Sequence, residues 1–447
     1  MLKLKSTEES AMTNCTPNPI QFPAVKGRKI EAIFNGQILT SDGGSMLLGA
    51  ADSLLGLTQK AARCFIDSRR KASCAHSILG MLRQRVYALA LGYEDLNDHD
   101  ALRHDPALQT AVGRDVDMAS ASTLCRFENS VDAKSLWGLS SVLVDVFIAS
   151  HRQAPEEIIL DFDATDDEVH GKQEGRFFHG YYDSYCFLPL YVFCGEHLLA
   201  AYLRPSNIDG AKHSLGILGL LVKRIRAAWP KTRIIMRGDS GFCRWKLMRW
   251  CDNHNIEYLL GLAKNKRLIH AAQPLLDEVQ ERFIQTGEKQ KLFSETQYAA
   301  DTWDKERRVI IKAEHLEKGS NPRFVVTSLC GTPEEIYQRY CARGEMENRI
   351  KEQQLCLFAD RTSCSKWLPN QFRVLLSALA YTLLQTIRDK ALAGTELARA
   401  RCDTIRLKLL KIGAAVLRNT RRVILMLSES CPYKELFRLA AARLQAG

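Results

Sequence analysis

The chain lacks the usual marks of a secreted or membrane protein. Its fourteen cysteines form no C-x-x-C pair and no His-Cys cluster at zinc-ligand spacing, so neither a disulfide framework nor a thiolate metal site is expected. The N-terminal stretch MLKLKSTEESAMTNC has no apolar core of the kind found in signal peptides. The longest uncharged apolar-rich run, at 374–387, is too short to span a bilayer. We therefore expect a cytoplasmic protein with reduced thiols and no membrane partner.

Acidic residues are scarce in the C-terminal fifth of the chain. Residues 361–447 contain 16 Lys or Arg and 5 Asp or Glu, and this excess of 11 equals the formal net charge of the whole chain. Such a basic segment suits nucleic acid or an anionic membrane, and a solvated helical face explains it about as well. A membrane-binding helix would carry exposed aromatic residues, of which this segment has few. Nucleic acid is therefore the preferred partner.

Composition and periodicity divide the chain into segments. With 447 residues, 46% of them hydrophobic, it is long enough for roughly two to four domains. The predicted segments are a polar arm (1–30), a helical domain (31–153), the first part of an α/β core (154–263), a β-rich insertion (264–331), a core helix (332–358) and a basic C-terminal helical region (359–447). In the helical domain, the apolar stripe of one predicted helix lies opposite Arg83 and Arg85.

The segment 154–263 has the order strand, hairpin, helix, strand, helix, strand, which indicates a mixed α/β sheet. Two of its strands, EEIILDFD and RIIMRGD, end in acidic residues. The strand period of two places Asp161 and Asp163 on one face, and Asp239 repeats the pattern at the second strand end. Because ligands of open α/β sheets gather at strand ends, these carboxylates are candidates for a binding site.

A bound cation would explain why carboxylates end two buried strands. Without a cation, the carboxylates would repel each other, and their burial would cost desolvation free energy. Hard oxygen ligands with no His or Cys nearby fit Mg²⁺ or Mn²⁺ better than zinc. The alternative is that one of the aspartates only caps the turn after its strand.

A third acidic position lies in TPEEIYQRYCARGEMENRIKEQQ. Thr332 and Glu335 form a capping box and Pro333 takes the first helical position, which predicts a helix start. Five residues of this helix share one stripe, namely Ile336, Tyr340, Arg343, Glu347 and Lys351. Glu345 lies about 200° around the helix from Glu347. Helical geometry therefore favours Glu347 as the acid that faces the same site as Tyr340 and Arg343.

A charged helical stripe alone is usually a solvated face. Here it accompanies two acidic strand ends and an arginine suited to phosphate. The combination predicts a phosphoryl-transfer site with two metal ions about 3.5–4 Å apart, which would activate the attacking oxygen and stabilise the leaving one.

The blocks DFDATDDEVHGKQEG, MRGDSGF and YCARGEMENRIKE resemble those of DDE transposases from bacterial insertion sequences. Among these transposases, the chain is similar to the group-one DDE class, which carries a Tyr-Arg-Glu-Lys signature. The resemblance extends from LTSDGGSMLL at position 39 to about residue 390. The resemblance implies a ribonuclease-H-like core in which Asp163, Asp239 and Glu347 are the catalytic metal ligands. Asp161 is the alternative first ligand.

The same resemblance implies roles in DNA binding. Tyr340 and Arg343 match the first two signature residues and would position DNA phosphate. The signature lysine falls at Gln354, and Lys351, one turn earlier, is the candidate substitute. Arg237 is a further candidate for DNA binding.

The implied activity is cleavage at the ends of a mobile element followed by strand transfer, with two Mg²⁺ ions as cofactor and Mn²⁺ as substitute. The implied partners are the terminal inverted repeats and target DNA, bound by a homodimer in the bacterial cytoplasm. The helical segment 31–153 would recognise the element ends. A nuclease or resolvase without strand transfer is the main alternative. An inactive DNA-binding descendant is another, although all three acidic positions are intact.

Overall fold

The computed structural model describes residues 19–34, 37–70 and 74–446. Its strands are β1 (Ile20–Val25), β2 (Arg28–Ala32), β3 (Leu39–Thr40), β4 (Glu157–Ala164), β5 (Asp167–Glu168), β6 (Phe177–His179), β7 (Ser184–Phe187), β8 (Leu190–Cys194), β9 (His197–Tyr202), β10 (Arg233–Gly238), β11 (Glu257–Leu262), β12 (Gln290–Tyr298), β13 (Arg307–Leu316), β14 (Gly319–Ser320), β15 (Arg323–Thr327), β16 (Ala414–Arg418) and β17 (Val423–Leu427).

The α-helices are α1 (Ser45–Leu55), α2 (Leu57–Ala62), α3 (Ile78–Leu91), α4 (His99–Leu102), α5 (Pro106–Val112), α6 (Ala121–Asn129), α7 (Ala133–Ser150), α8 (Ser214–Ala228), α9 (Trp245–Asn253), α10 (Lys266–Thr286), α11 (Pro333–Cys341), α12 (Gly344–Lys351), α13 (Trp367–Thr386), α14 (Cys402–Ile405) and α15 (Lys434–Ala446). A 3₁₀ turn spans Ser240–Phe242, and π-helical turns span Glu352–Cys356, Ile387–Ala391 and Arg406–Leu410.

The acid-bearing strands belong to one large mixed sheet with the order β12-β13-β15-β11-β10-β4-β8-β9, in which β14 pairs with β13. Strands β4, β10 and β11 are parallel, while β8 and β9 run antiparallel beside β4. This arrangement confirms the predicted ribonuclease-H-like α/β core. In β4, Leu160 and Phe162 are completely buried in the core of one face, and Asp161 and Asp163 take the opposite face, as the period of two requires.

The segment 264–331 differs from the predicted β-rich insertion in two respects. It begins with the 21-residue helix α10, whose buried residues are Leu268, Ala272, Leu276 and Val279. Their spacing of four, four and three is the spacing of one buried helical face. Strands β12, β13 and β15 then continue the core sheet beyond β11. The insertion therefore extends the core rather than forming a body of its own.

The N-terminal and C-terminal helices share one hydrophobic core, which includes α3, α7 and α13. Arg85, expected opposite the apolar stripe, is 2% exposed and pairs with Glu128, which also pairs with Arg373 of α13. The C-terminal region is not entirely helical, because β16 and β17 form a hairpin that pairs with β3. The two predicted regions thus pack as one helical body beside the sheet.

Several C-terminal basic side chains make internal contacts and are not part of a free basic surface. Arg388 pairs with Glu352 at 2.6 Å, and Arg406 donates to the carbonyl oxygen of Ala90 at 2.8 Å. In the same way, Arg373 donates to Glu128, Arg418 to the side chain of Gln109, and Arg443 to the carbonyl of Ala393. The charge excess of the sequence therefore overstates the basic surface.

The predicted polar arm is partly outside the described residues, because the structure describes nothing before residue 19. Strands β1 and β2 form a hairpin at its end, and all of their residues are exposed.

Helix α7 is, by length and composition, apolar enough to cross a membrane. Eight of its residues are nevertheless buried in the protein, which is how the core helix of a folded domain packs.

Candidate active site

The first two acids meet at one edge of the sheet because their strands are parallel neighbours. The register of β10 on β4 pairs Gly238 with Phe162, so the next residues, Asp239 and Asp163, lie side by side. Asp163 accepts a hydrogen bond from the amide of Ala164 at 3.0 Å, and its side chain is 14% exposed. Two carboxylates thus stand at the carboxyl ends of adjacent strands.

Asp239 combines the capping role and the site position that the sequence left as alternatives. Its Oδ1 accepts from the amide of Gly241 at 2.8 Å and caps the 3₁₀ turn Ser240–Phe242. Its Oδ2 lies 4.0 Å from the guanidinium of Arg343. The cap fixes one oxygen and leaves the other directed at the site.

The third acid lies on a helix that is interrupted, although the sequence predicted a continuous one. The capping box of Thr332 and Glu335 is present, but α11 ends at Cys341 and α12 begins at Gly344. At the joint, the amide of Arg343 donates to the carbonyl of Tyr340 at 3.1 Å, which is a tighter i to i+3 turn. A π-helical turn, Glu352–Cys356, follows α12 directly. The predicted stripe is therefore divided between two helices.

Arg343 lies between the three carboxylates. Its Nη2 is 3.0 Å from Oδ1 of Asp163, and its Nη1 is 3.2 Å from Oε1 of Glu347. The side chain of Arg343 is 14% exposed. Glu345, by contrast, is 78% exposed and lies 3.9 Å from Arg349. The structure thus brings Asp163, Asp239 and Glu347 together around one guanidinium and leaves Glu345 outside.

The carboxylates and the arginine depend on each other electrostatically. Burial raises the pKa of Asp163 to about 6; the charge of Arg343 opposes this rise, and Asp239 and Glu347 add to it. Burial alone would lower the pKa of Arg343, but the surrounding carboxylates raise it above its usual value. Like charges held in a partly buried site need a cation, and Arg343 supplies the positive charge here.

The donor chemistry of this cluster suits a hard divalent cation, because all three groups are carboxylates. Within the described ranges, however, no three His, Cys, Asp or Glu side chains lie close enough together to hold a metal ion. The guanidinium of Arg343 lies between the carboxylates, within 3.0 to 4.0 Å of each. A metal ion bound by them would take over the charge that Arg343 now provides.

Two candidates from the sequence do not belong to this cluster. Asp161 is 3% exposed and forms a bidentate ion pair with Arg237, with 2.7 Å between Oδ2 and Nη2. Arg237 is 6% exposed and also donates to the carbonyl of Arg339. Each side chain therefore neutralises the other inside the protein, an arrangement that does not favour Asp161 as an alternative metal ligand or Arg237 as a DNA contact.

Tyr340 and the two candidates for the signature lysine take different positions. A Cβ at Gly261 would lie 2.6 Å from the hydroxyl oxygen of Tyr340, so the glycine makes room for this ring beside Asp239. Lys351 is exposed at the end of α12. Gln354 donates to the carbonyl of Asp166 at 2.8 Å and ties the π-helical turn to the segment after Asp163. The sequence had assigned no contact to Gln354 or Gly261.

The comparisons with known proteins concern nearly the whole chain. The family model described as "Transposase DDE domain group 1" matches residues 22–447. No curated protein sequence matches the chain significantly. Among solved structures, the chain is similar to a piggyBac transposase in a synaptic complex with hairpin DNA. The TM-score is 0.40 and the identity 11%, over 83% of this chain and 80% of that one, a likeness too low to carry an argument about the site.

The family match covers all three acidic positions and the strands and helices that carry them. The chain therefore belongs to the transposase DDE domain group 1 family, and it is a DNA transposase.

Proposed function

We propose that this transposase cuts and joins DNA at the cluster of Asp163, Asp239 and Glu347, with two Mg²⁺ ions as cofactor and Mn²⁺ as substitute. The observation that carries the proposal is the convergence of the three carboxylates on Arg343, with contacts of 3.0 to 4.0 Å. Carboxylate oxygens are the ligands that Mg²⁺ prefers, and in this proposal the ions take the place that Arg343 now holds between them.

Asp163, Asp239 and Glu347 would hold the ions. When bound, such ions supply activation of the attacking oxygen and stabilisation of the leaving oxygen in an in-line displacement. The protein's own part is to fix the carboxylates: the cap on Gly241 orients Asp239, and the parallel register sets Asp163 beside it. The same arrangement serves hydrolytic nicking and strand transfer, because both are attacks on a phosphodiester.

Arg343 has a second use in this proposal. Its planar guanidinium can bind phosphate with two parallel hydrogen bonds, which a lysine cannot do. Released from the carboxylates, it would reach the phosphate next to the cut. Tyr340, packed beside Gly261, and the exposed Lys351 are proposed to contact the neighbouring phosphates.

The helical body is proposed to bind the element ends, and a homodimer is proposed to hold the DNA complex. Apart from the arginines with internal partners, the C-terminal region has exposed basic residues that could contact DNA phosphates. They include Arg421, Arg422, Lys434 and Arg438. DNA binding by such residues falls steeply as the salt concentration rises.

The test is an assay of cleavage and strand transfer on DNA that carries the element's ends, with Mg²⁺ or Mn²⁺. Wild-type protein is expected to yield cut and joined products, and Asp239→Ala neither. Cut products without joined ones from the wild type would instead support a nuclease or resolvase. Full activity of Asp239→Ala would remove the proposed site.

A further inference from the structure

An aromatic hairpin projects from the core next to the active site. We use this name for residues 176–187, which contain β6, a four-residue turn and β7. Its exposed aromatic residues are Phe177, Phe178, Tyr181 and Tyr185, with exposed fractions of 42%, 53%, 84% and 49%. Large aromatic side chains are rarely left in water in such a cluster unless they contact a ligand or partner.

The hairpin is held in shape by its own contacts. Phe178 and Tyr185 are cross-strand neighbours with ring centroids 5.6 Å apart, and the guanidinium of Arg176 lies 4.6 Å above the Tyr185 ring. At the tip, the rings of Tyr181 and Tyr182 are 5.0 Å apart. The carbonyl of Phe177 accepts a hydrogen bond from Ser206 at 2.8 Å. The exposed rings are therefore presented by a braced element and not by a loose loop.

This hairpin is continuous with the active site. Strand β7 pairs with β5, whose first residue, Asp167, follows Asp163 after only three residues, and Asp167 lies opposite Phe187. Burial raises the pKa of Tyr182, next to the tip residue Tyr181, to about 12, and the charges of Asp166 and Asp163 add to this rise. The hairpin is thus joined to the strand that carries Asp163 by both the chain connection and the pairing of β5 with β7.

We propose that the aromatic hairpin stacks against unpaired bases of the DNA beside the cut, with Tyr181 and Phe178 as the main contacts. The inference rests on the proposed function of the neighbouring carboxylates. Aromatic side chains bind single strands because every base has a face on which they stack, whereas the faces of paired bases inside a duplex are covered. Arg176 over Tyr185 adds a planar cation of the kind that also stacks on bases.

A second protein molecule is the rival occupant of this surface. The position of the hairpin favours DNA, because its partner strand β5 begins at Asp167, shortly after the end of β4, where Asp163 lies. A protein partner seated there would cover the approach to the carboxylates. A contact between copies of this chain through the hairpin would change the oligomeric state and leave DNA binding intact.

The test compares a blunt duplex with the same duplex carrying a short single-stranded extension that contains 2-aminopurine. Binding is measured in EDTA by anisotropy, so the result does not depend on cutting. Wild-type protein is expected to prefer the extended DNA and to quench 2-aminopurine by stacking. The double variant Phe178→Ala/Tyr181→Ala is expected to lose about 10-fold in affinity for the extended DNA and none for the blunt duplex.

Two controls keep the outcome readable. Tyr181→Phe preserves the ring and should bind like the wild type. Ile284→Ala removes an exposed apolar side chain of α10, outside the helical body and the carboxylate cluster, with no expected effect. Unchanged binding of the extended DNA by the double variant would overturn the proposal. So would a change of oligomeric state in light scattering with DNA binding intact, which would assign the hairpin to a protein interface. Neither result would affect the proposed role of the carboxylates, which the DNA-cleavage assay with Asp239→Ala tests separately.

Discussion

Nη2 of Arg343 lies 3.0 Å from Oδ1 of Asp163, and the same guanidinium contacts Glu347 at 3.2 Å. One positive charge therefore balances carboxylates that come from a strand end and from a helix. Because the arginine lies at the joint between α11 and α12, its position depends on the break that the sequence pattern did not predict. The helix break positions the Arg343 side chain, and its positive charge offsets the charges of the carboxylates around it.

Removal of this arginine should change the titration of its neighbour. In Arg343→Ala, the pKa of Asp163 is expected to rise above about 6, because an opposite charge that favours the ionised form is lost. Arg343→Lys keeps a charge and should give a smaller rise. The measurement is carboxyl ¹³C NMR against pH in metal-free protein. An unchanged pKa of Asp163 in Arg343→Ala would contradict the contact.

The raised pKa of Asp163 also predicts the direction of a stability change. An unfolded aspartate titrates near 3.9, so between about pH 4 and 6 the folded state binds more protons than the unfolded state. The contribution of Asp163 to stability therefore falls as the pH rises through this window. Chemical denaturation of wild type and Asp163→Asn should show a difference that changes by on the order of 2 kcal/mol across it. A difference that is independent of pH would exclude the shift.

The buried pair of Asp161 and Arg237 should matter for folding. Asp161→Ala leaves a buried guanidinium without its partner and is expected to cost about 3–5 kcal/mol in the free energy of unfolding. The double variant Asp161→Leu/Arg237→Leu removes both charges and should recover much of that loss. Urea denaturation of the three proteins measures both effects. If Asp161→Ala were as stable as the wild type, the pair would not be the structural unit described above.

Gly261 should tolerate no larger residue. A Cβ there would lie 2.6 Å from the Tyr340 hydroxyl and 2.9 Å from the amide nitrogen of Ser240, so Gly261→Ala is expected to cost about 1–3 kcal/mol. Gly216→Ala is the matched control, because this exposed helical glycine has nothing within 4 Å of a new Cβ. It should be neutral or gain up to about 1 kcal/mol. Thermal unfolding compares the two, and equal melting temperatures would contradict the packing of Tyr340.

The sequence predicted the core well where local pattern and turn chemistry agree. Apolar strands that end in acids located β4 and β10, and the capping box located the start of α11. The sequence placed Arg343 on the same stripe as Glu347. It did not predict the break after Cys341 or the contact of Arg343 with Asp163, because helical periodicity assumes a continuous helix and says nothing of the strand beside it. The internal contacts of Arg388 and Arg406 were also missed, since a charge count does not distinguish a buried arginine from an exposed one.

The most direct test of the central claim compares two glutamates two residues apart. Glu347 contacts Arg343, whereas Glu345 is 78% exposed and pairs only loosely with Arg349. In an assay of Mn²⁺-dependent cleavage of element-end DNA, Glu347→Ala is expected to lose at least about 100-fold in rate, as removal of a group acting on the reacting phosphate does. Glu345→Ala should cut at the wild-type rate. Equal rates for the two variants, or a loss confined to Glu345→Ala, would contradict the assignment of the site.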